Sequence, residues 1–255
     1  MKNKFLIYLF MGSIILLNPY FLYSQPENEN KDYIPYNGSG KFTLQVYGMY
    51  VSSAELQNNI KSNVSFVRDA SIELKGGYGY GAEFTYNPGF SNFDIMFYIS
   101  SEYMKVKDDE LLLRFENDSA SSVVRFTEEY NLLPLEAGLK WNLPVSTERF
   151  KIFIGGGAGI YFGNRTRSVG PYSTSPISRK AGVSMNVLAG LEYFFQRNLS
   201  LDFEFKFREA SFESQDRFAV DYVTIGGNIY SLDNPVYSRL LIDGTRISAG
   251  LKYHF

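Results

Sequence analysis

The chain has 255 residues, among them 20 Tyr and 22 Phe, with 20% charged residues and a formal net charge of −2. That balance excludes a disordered chain, a membrane protein built from long apolar helices, and a basic nucleic-acid binder. Because cysteine is absent, disulfide frameworks, thiolate metal sites, cysteine nucleophiles and lipidated cysteine are excluded as well.

Residues 1–24 read as a secretory signal peptide: Lys2 and Lys4 precede an apolar run over residues 5–17, and Tyr23-Ser24 before Gln25 form a cleavage site. A spanning helix needs about 20 apolar residues, whereas this run ends at Asn18-Pro19. Residues 25–40 mix Pro, Gly, Asn and Glu and read as a flexible periplasmic lead, which places the ordered domain at residues 41–255.

From Phe42 onward eight segments alternate apolar and polar residues: 42–50, 72–86, 93–103, 133–143, 150–162, 183–195, 199–207 and 245–255. In the seventh, Leu199, Leu201, Phe203, Phe205 and Phe207 share a face, against Ser200, Asp202, Glu204 and Lys206. In the eighth, Thr245, Ile247, Ala249, Leu251, Tyr253 and Phe255 oppose Arg246, Ser248, Gly250, Lys252 and His254. Across all eight, not one residue on the apolar face is Asp, Glu, Lys or Arg.

Period-2 alternation marks strands with two unlike faces. Such strands fit either a soluble sandwich with the apolar face inward or a membrane barrel with it facing lipid. Three features favour the barrel. The segments run 9 to 15 residues, enough for a tilted crossing of about 9–11 and longer than the roughly 5–6 usual in soluble proteins. Aromatics gather at both ends of the apolar face, with Phe42, Tyr86, Phe93, Trp141, Phe150, Phe195 and Phe255 at one level and Tyr50, Tyr103, Phe162 and Phe207 at the other, as in the girdles of outer-membrane barrels. The connections alternate between short (87–92, 144–148, 196–198) and long (53–70, 104–131, 163–182, 209–243). The expected fold is therefore all-β: a transmembrane antiparallel up-and-down β-barrel of eight strands, with both ends of the domain in the periplasm. Two hairpins are expected to project above the membrane, one around Asn117-Asp118 and one around Gly226-Gly227; if the second crossed the bilayer, the count would be ten.

Eight strands enclose a space that side chains can fill. The polar parity aims Glu73, Glu83, Asp94, Glu102, Glu136, Glu192, Asp202 and Glu204 inward against Lys75, Lys140, Lys151, Lys206, Arg208, Arg246 and Lys252. Near balance of sign predicts an ion-pair plug, with Glu136, Lys140, Asp202, Glu204, Lys206, Arg208 and Arg246 as its body, because an unpaired charge there is costly. Gly77, Gly79 and Gly81, and Gly155, Gly157 and Gly159, share the inward parity, and the second set is expected to face Tyr47 and Met49 across the lumen. The run 155–159 lacks the spacing and the strand-to-helix setting of a nucleotide loop.

Leu133 through Trp141, the glycine-rich stretch Ile154 through Tyr161, and Gly250-Leu251-Lys252-Tyr253-His254-Phe255 together resemble the OmpA/OmpX-like family of small outer-membrane barrels, over about residues 42–255. The resemblance implies residence in the bacterial outer membrane, contact with its lipid and lipopolysaccharide, and recognition by the barrel-assembly machinery through Leu251, Tyr253 and Phe255. It also implies that the periplasmic peptidoglycan-binding domain of the longest members is not expected after Phe255.

The first functional expectation is a structural or adhesin-like surface-interaction role, with extracellular loops meeting an unidentified external or host ligand. Phe218, Tyr222, Tyr230 and Tyr237 in the longest connection are the candidate contacts, with packing of these aromatics on the barrel rim as the equal alternative. A lipid A-modifying enzyme is the alternative; it needs a general base beside a serine near the outer leaflet, while the sole histidine, His254, belongs to the periplasmic end. No catalytic residue is assigned and no enzyme is expected. A narrow small-solute or ion channel would favour one sign of lumen charge. No cofactor and no metal site is assigned; Asp108-Asp109-Glu110 could bind divalent ions near lipopolysaccharide, although such an acidic run is usually just solvated.

Overall fold

The computed structural model describes residues 40–89, 94–116 and 121–255. The signal peptide, residues 25–39 of the lead and Phe93 lie outside the described residues, as does the Asn117-Asp118 turn. Twelve strands are β1 (Phe42–Asn58), β2 (Ser71–Tyr86), β3 (Ile95–Glu116), β4 (Ser121–Asn142), β5 (Phe150–Val169), β6 (Tyr172–Lys180), β7 (Gly182–Gln196), β8 (Leu199–Phe218), β9 (Tyr222–Ile225), β10 (Asn228–Ser231), β11 (Val236–Ile242) and β12 (Thr245–His254). Between β1 and β2 lies a single helical turn, Ser65–Arg68. No helix among the described residues is long and apolar enough to cross a membrane.

Antiparallel pairing runs β1–β2–β3–β4–β5–β7–β8–β12 and closes from β12 back to β1. The ring therefore has eight staves. Closure at the seam pairs Thr43 with His254 and Val51 with Arg246. Strands β6 and β11 add no crossing. They prolong β7 and β12 upward, β6 against β8 and β11 against both β8 and β1.

The uncharged parity faces outward. Leu44, Val46, Leu135, Leu139, Phe203, Phe205, Leu251 and Tyr253 are all exposed, a state tolerable only if hydrocarbon is their solvent. Aromatic rings pack together at both margins of this belt. Phe42 stacks on Tyr86 at 5.2 Å and on Phe255 at 6.1 Å, and Phe150 meets Tyr193 at 4.8 Å; at the other margin Tyr50 meets Tyr78 at 5.1 Å and Tyr80 meets Tyr103 at 5.5 Å.

Above that upper margin much of the long connections is not loop but continued strand, which corrects the sequence expectation, although the hairpin expected over residues 111–126 is found as the paired upper ends of β3 and β4 and residues 59–70 carry no strand. Strands β3 and β4 each run 22 residues, and β5 and β8 each run 20. The alternation continues while its chemistry inverts. Along β8 the outward series Phe203, Phe205, Phe207 becomes Glu209, Ser211, Glu213, while the inward series Glu204, Lys206, Arg208 becomes Ala210, Phe212, Ser214. Water replaces lipid outside, so the wall takes the ordinary soluble pattern of polar out and apolar in. A search for uncharged outward faces necessarily stops at that boundary.

The Gly226-Gly227 hairpin projects as expected, formed by β9 and β10 and pairing Ile225 with Asn228. Both glycines have positive φ, 58° and 85°, as a two-residue type I′ turn requires.

Candidate functional site: an occluded lumen under a hairpin cap

The polar parity brings one connected ion-pair network into the lower lumen. Lys140 meets Glu83 at 2.5 Å and Glu204 at 2.8 Å, and Lys206 meets Glu136 at 2.7 Å. Arg208 meets Glu102 at 3.0 Å, and Arg246 joins Glu102 to Glu204. All eight of these side chains are buried. Aromatic walls complete the packing: Tyr161 donates to Glu136 at 2.8 Å while accepting from Arg208 at 2.6 Å, and Tyr47 donates to Glu102 at 3.1 Å. Nearer the short-turn end, Lys252 bridges Glu192 at 3.2 Å and Asp202 at 2.9 Å. All seven lumen residues singled out in the sequence are thus buried in this interior.

Four of the expected inward charges are elsewhere. Glu73 and Lys75 are exposed above the belt, where Lys75 pairs with Glu110 at 2.5 Å, and Asp94 is exposed on a turn, held by Asn87 and Asn142 at 2.8 Å each. Lys151 is only half-buried. Glu73 and Lys75 flank Leu74, which is buried in the lumen, so the inward parity of β2 shifts by one residue between Leu74 and Gly77 and turns both charges outward; Asp94 and Lys151 lie at the short-turn rim, where both faces reach water.

The glycine reading holds in kind and fails in its partners. A Cβ on Gly157 would lie 2.6 Å from the Tyr98 hydroxyl, whereas it is Gly79 and Gly81, on the strand beside β1, that make room for Met49 and Tyr47. Small residues sit under large neighbours on the same side of the barrel, one stave away for Gly79 and Gly81 and two for Gly157, rather than under those across it.

Above the ion network the lumen becomes apolar. Met49, Val51, Leu56, Leu74, Met104, Val106, Leu132, Leu240 and Ile242 are buried there. A second ionic cluster lies higher still: Glu128 takes both Arg165, at 2.8 Å, and Arg167, while Asp216 takes Arg165 at 3.3 Å and Arg179 at 2.7 Å. Burial pushes the neighbouring Tyr130 hydroxyl up to about 12. The same cluster ties the β5 backbone to β6 where the two no longer pair, through Arg167 N–H to the Thr174 hydroxyl at 2.9 Å and Arg179 to the Arg165 carbonyl at 3.2 Å. Reading residues 104–131, 163–182 and 209–243 as loops hides this cluster in the sequence; extending the inward parity of β4, β5 and β8 upward reveals it.

The β9–β10 hairpin folds over the top. Its inner face, Val223 and Tyr230, is buried with Phe115, Phe126, Phe218, Leu232 and Val236, and the Tyr230 and Phe115 rings lie 5.7 Å apart. Two of the four aromatic contact candidates are therefore corrected: Phe218 and Tyr230 are 4% and 2% exposed and belong to the cap's core. Tyr222 is 65% exposed. Tyr237 lies on the outer wall, under Lys61 at 4.2 Å and bonded by Gln215 at 3.2 Å. In a hairpin, side chains on alternate residues part to opposite faces, which a loop reading does not resolve.

The acidic run is likewise divided. Asp108 turns inward and accepts from the Lys75 backbone N–H at 3.1 Å, while Asp109 and Glu110 face out beside Lys107 and Lys75. Among the described residues, no group of acids or histidine is placed to hold a metal ion. His254 Nε2 lies 3.0 Å from the Ser200 hydroxyl and 2.8 Å from Glu192, at the short-turn end. Serine and carboxylate converge on one ring nitrogen, whereas a nucleophilic relay sets them on opposite nitrogens.

Leu251, Tyr253 and Phe255 all face outward on the lower belt, exposed at about half of their surface.

The fold and its uncharged belt define the class: a closed, eight-stranded transmembrane β-barrel with a filled lumen. No protein-family model and no curated protein matches the sequence. Among solved structures the chain is similar to Neisserial surface protein A (15% identity, 84% of this chain and 97% of that one, TM-score 0.42) and to the attachment invasion locus protein Ail of Yersinia pestis (14%, 84% and 99%, 0.38). It is also similar to the outer membrane protease OmpT of Escherichia coli (10%, 86% and 98%, 0.37). Likeness at this level assigns no residue a role.

Proposed function

We propose that this is a bacterial outer-membrane barrel that conducts nothing, and whose work is structural or adhesive, carried by the wall and cap it holds above the membrane. The observation that carries the proposal is the double closure of the lumen, by a charge-balanced ion network within the membrane and by an apolar core with its hairpin cap above. A path for ions needs continuous hydration and a biased sign of charge; this interior offers neither. What remains for a partner is the outer surface, where Tyr222, Phe66 at 85% exposure and the Lys61–Tyr237 pair present aromatic contact area on a rigid scaffold.

Two experiments test it. In planar bilayers the purified barrel is expected to give no sustained conductance, and steady opening at moderate voltage would overturn the closed-lumen reading. Cells displaying the protein are expected to bind immobilised matrix glycoproteins more than cells lacking it, with the gain lost on Tyr222→Ala combined with Phe66→Ala. Equal binding by both strains would remove the adhesive role and leave a structural one.

A further inference from the structure

The short-turn rim carries cations that pair with none of the described residues. Lys41, Arg149 and Arg197 are exposed there and Lys151 is half-buried, and among the described residues none of the four takes part in an ion pair or ring contact. Two acidic side chains described on this rim do little to offset them: Asp94 is held by the side-chain amides of Asn87 and Asn142, and Glu148 pairs with none of the described residues. At the opposite end the outer wall is laced with pairs, including Lys75–Glu110 at 2.5 Å, Lys105–Glu129 at 2.8 Å and Arg239–Glu213 at 2.6 Å.

Each unpaired base also sits at the margin of the lipid-facing belt. Lys41 precedes Phe42, Arg149 precedes Phe150, and Arg197 lies two residues past Phe195; those rings are 38%, 46% and 44% exposed. A ring at the hydrocarbon boundary fixes the depth of its neighbour, and a long basic side chain beside it reaches into the headgroup layer. We propose that this rim is a binding surface for anionic phospholipid headgroups, with Lys41, Arg149 and Arg197 taking phosphodiester oxygens from the adjoining leaflet. The inference rests on the transmembrane reading of the belt and adds an orientation and a lipid preference to it. Arginine suits the role through its forked donors, which match phosphate in pairs.

A base near such a surface is expected to contribute about fivefold in preference for an anionic over a zwitterionic lipid. The test uses the full chain folded into vesicles of phosphatidylcholine alone or with about three parts in ten phosphatidylglycerol. Readouts are the temperature at which the compact, heat-modifiable band is lost and the lipids retained in native mass spectrometry. The unsubstituted protein is expected to melt higher and to retain phosphatidylglycerol in the mixed vesicles, with the gain fading in molar salt. Arg149→Gln with Arg197→Gln should lose most of that gain, about fivefold in retained anionic lipid per residue. Arg125→Gln with Arg217→Gln, an equal charge change on the exposed far end, should keep it. The inference is overturned if the rim pair keeps the whole gain, or if the unsubstituted protein does not discriminate between the lipids. Should the rim pair fail to give the compact band in either lipid, Arg197→Gln alone is read against the same two outcomes. Loss of the compact band from the unsubstituted protein would instead count against the barrel itself.

Discussion

Glu102 is the hub of the lumen and the most informative single site. It takes Arg208 at 3.0 Å, Arg246, and Lys206 at 3.8 Å, and accepts from the Tyr47 hydroxyl at 3.1 Å. The network it joins has four acids (Glu83, Glu102, Glu136, Glu204) and four bases (Lys140, Lys206, Arg208, Arg246). Glu102→Gln keeps the shape and removes one negative charge, leaving four buried cations against three carboxylates. Removing one partner from a buried pair typically costs about 3–5 kcal/mol, because the charge left behind is uncompensated. Here Glu136 at 3.7 Å from Arg208 and Glu204 beside Arg246 can absorb part of the excess, so the lower end, about 3 kcal/mol, is expected. The assay is reversible urea unfolding in lipid vesicles. Glu102→Gln combined with Arg208→Met should recover part of the loss, since the pair is then removed together. A loss below about 1 kcal/mol for Glu102→Gln alone would show that water reaches these charges and that the lumen is not dry.

Other expectations follow from the same coordinates. Gly157→Leu should abolish the compact band, because a side chain there collides with the Tyr98 hydroxyl and the Ala137 backbone, and overpacking of about 1–3 kcal/mol or more adds to backbone displacement; normal assembly of that variant would contradict the packing described. Tyr230→Ala should release the cap without unfolding the barrel, at a local cost of about 3–5 kcal/mol, seen as new protease cleavage within residues 221–234; unchanged protection would mean that the hairpin is held by other contacts. Glu213 gives a pH dependence. Its hydrogen bonds from Arg239 hold its carboxyl below the usual range, so the stabilisation is present above the unfolded value of about 4.3 and is lost as pH falls through the lower folded value. Arg239→Ala should therefore cost up to about 1 kcal/mol near pH 7 and nothing at well below pH 4, measured as urea midpoints; a constant difference across pH would refute the ion pair as its cause.

Legibility of the fold tracked the solvent. Wherever lipid bathed the wall, the outward face held no charge and period 2 was plain, as in Leu199, Leu201, Phe203, Phe205 and Phe207. Past Glu209 the same strand carries polar residues outward and Phe212 inward, a pattern that any soluble hairpin shares, and only parity connects it to the barrel. The lumen network was readable because polarity and parity agree for Glu136, Lys140, Glu204 and Arg246. The upper ionic cluster was hidden by the loop assignment, and the inward turn of Phe218 and Tyr230 required knowing which hairpin face meets the core. The bases of the short-turn rim are visible as residues but not as a set, since their common feature is that none pairs with a described residue.

The most direct test of the account uses Trp141, the one tryptophan of the chain, at the lower margin of the belt. Vesicles with acyl chains brominated at known depths quench tryptophan by contact. Quenching of Trp141 by shallow bromines is expected, with Leu135→Trp in a Trp141→Phe background quenched by deep ones. If neither tryptophan is quenched at any depth, and the folded chain stays in solution without detergent, then lipid is not the solvent of the uncharged face and the transmembrane barrel is wrong.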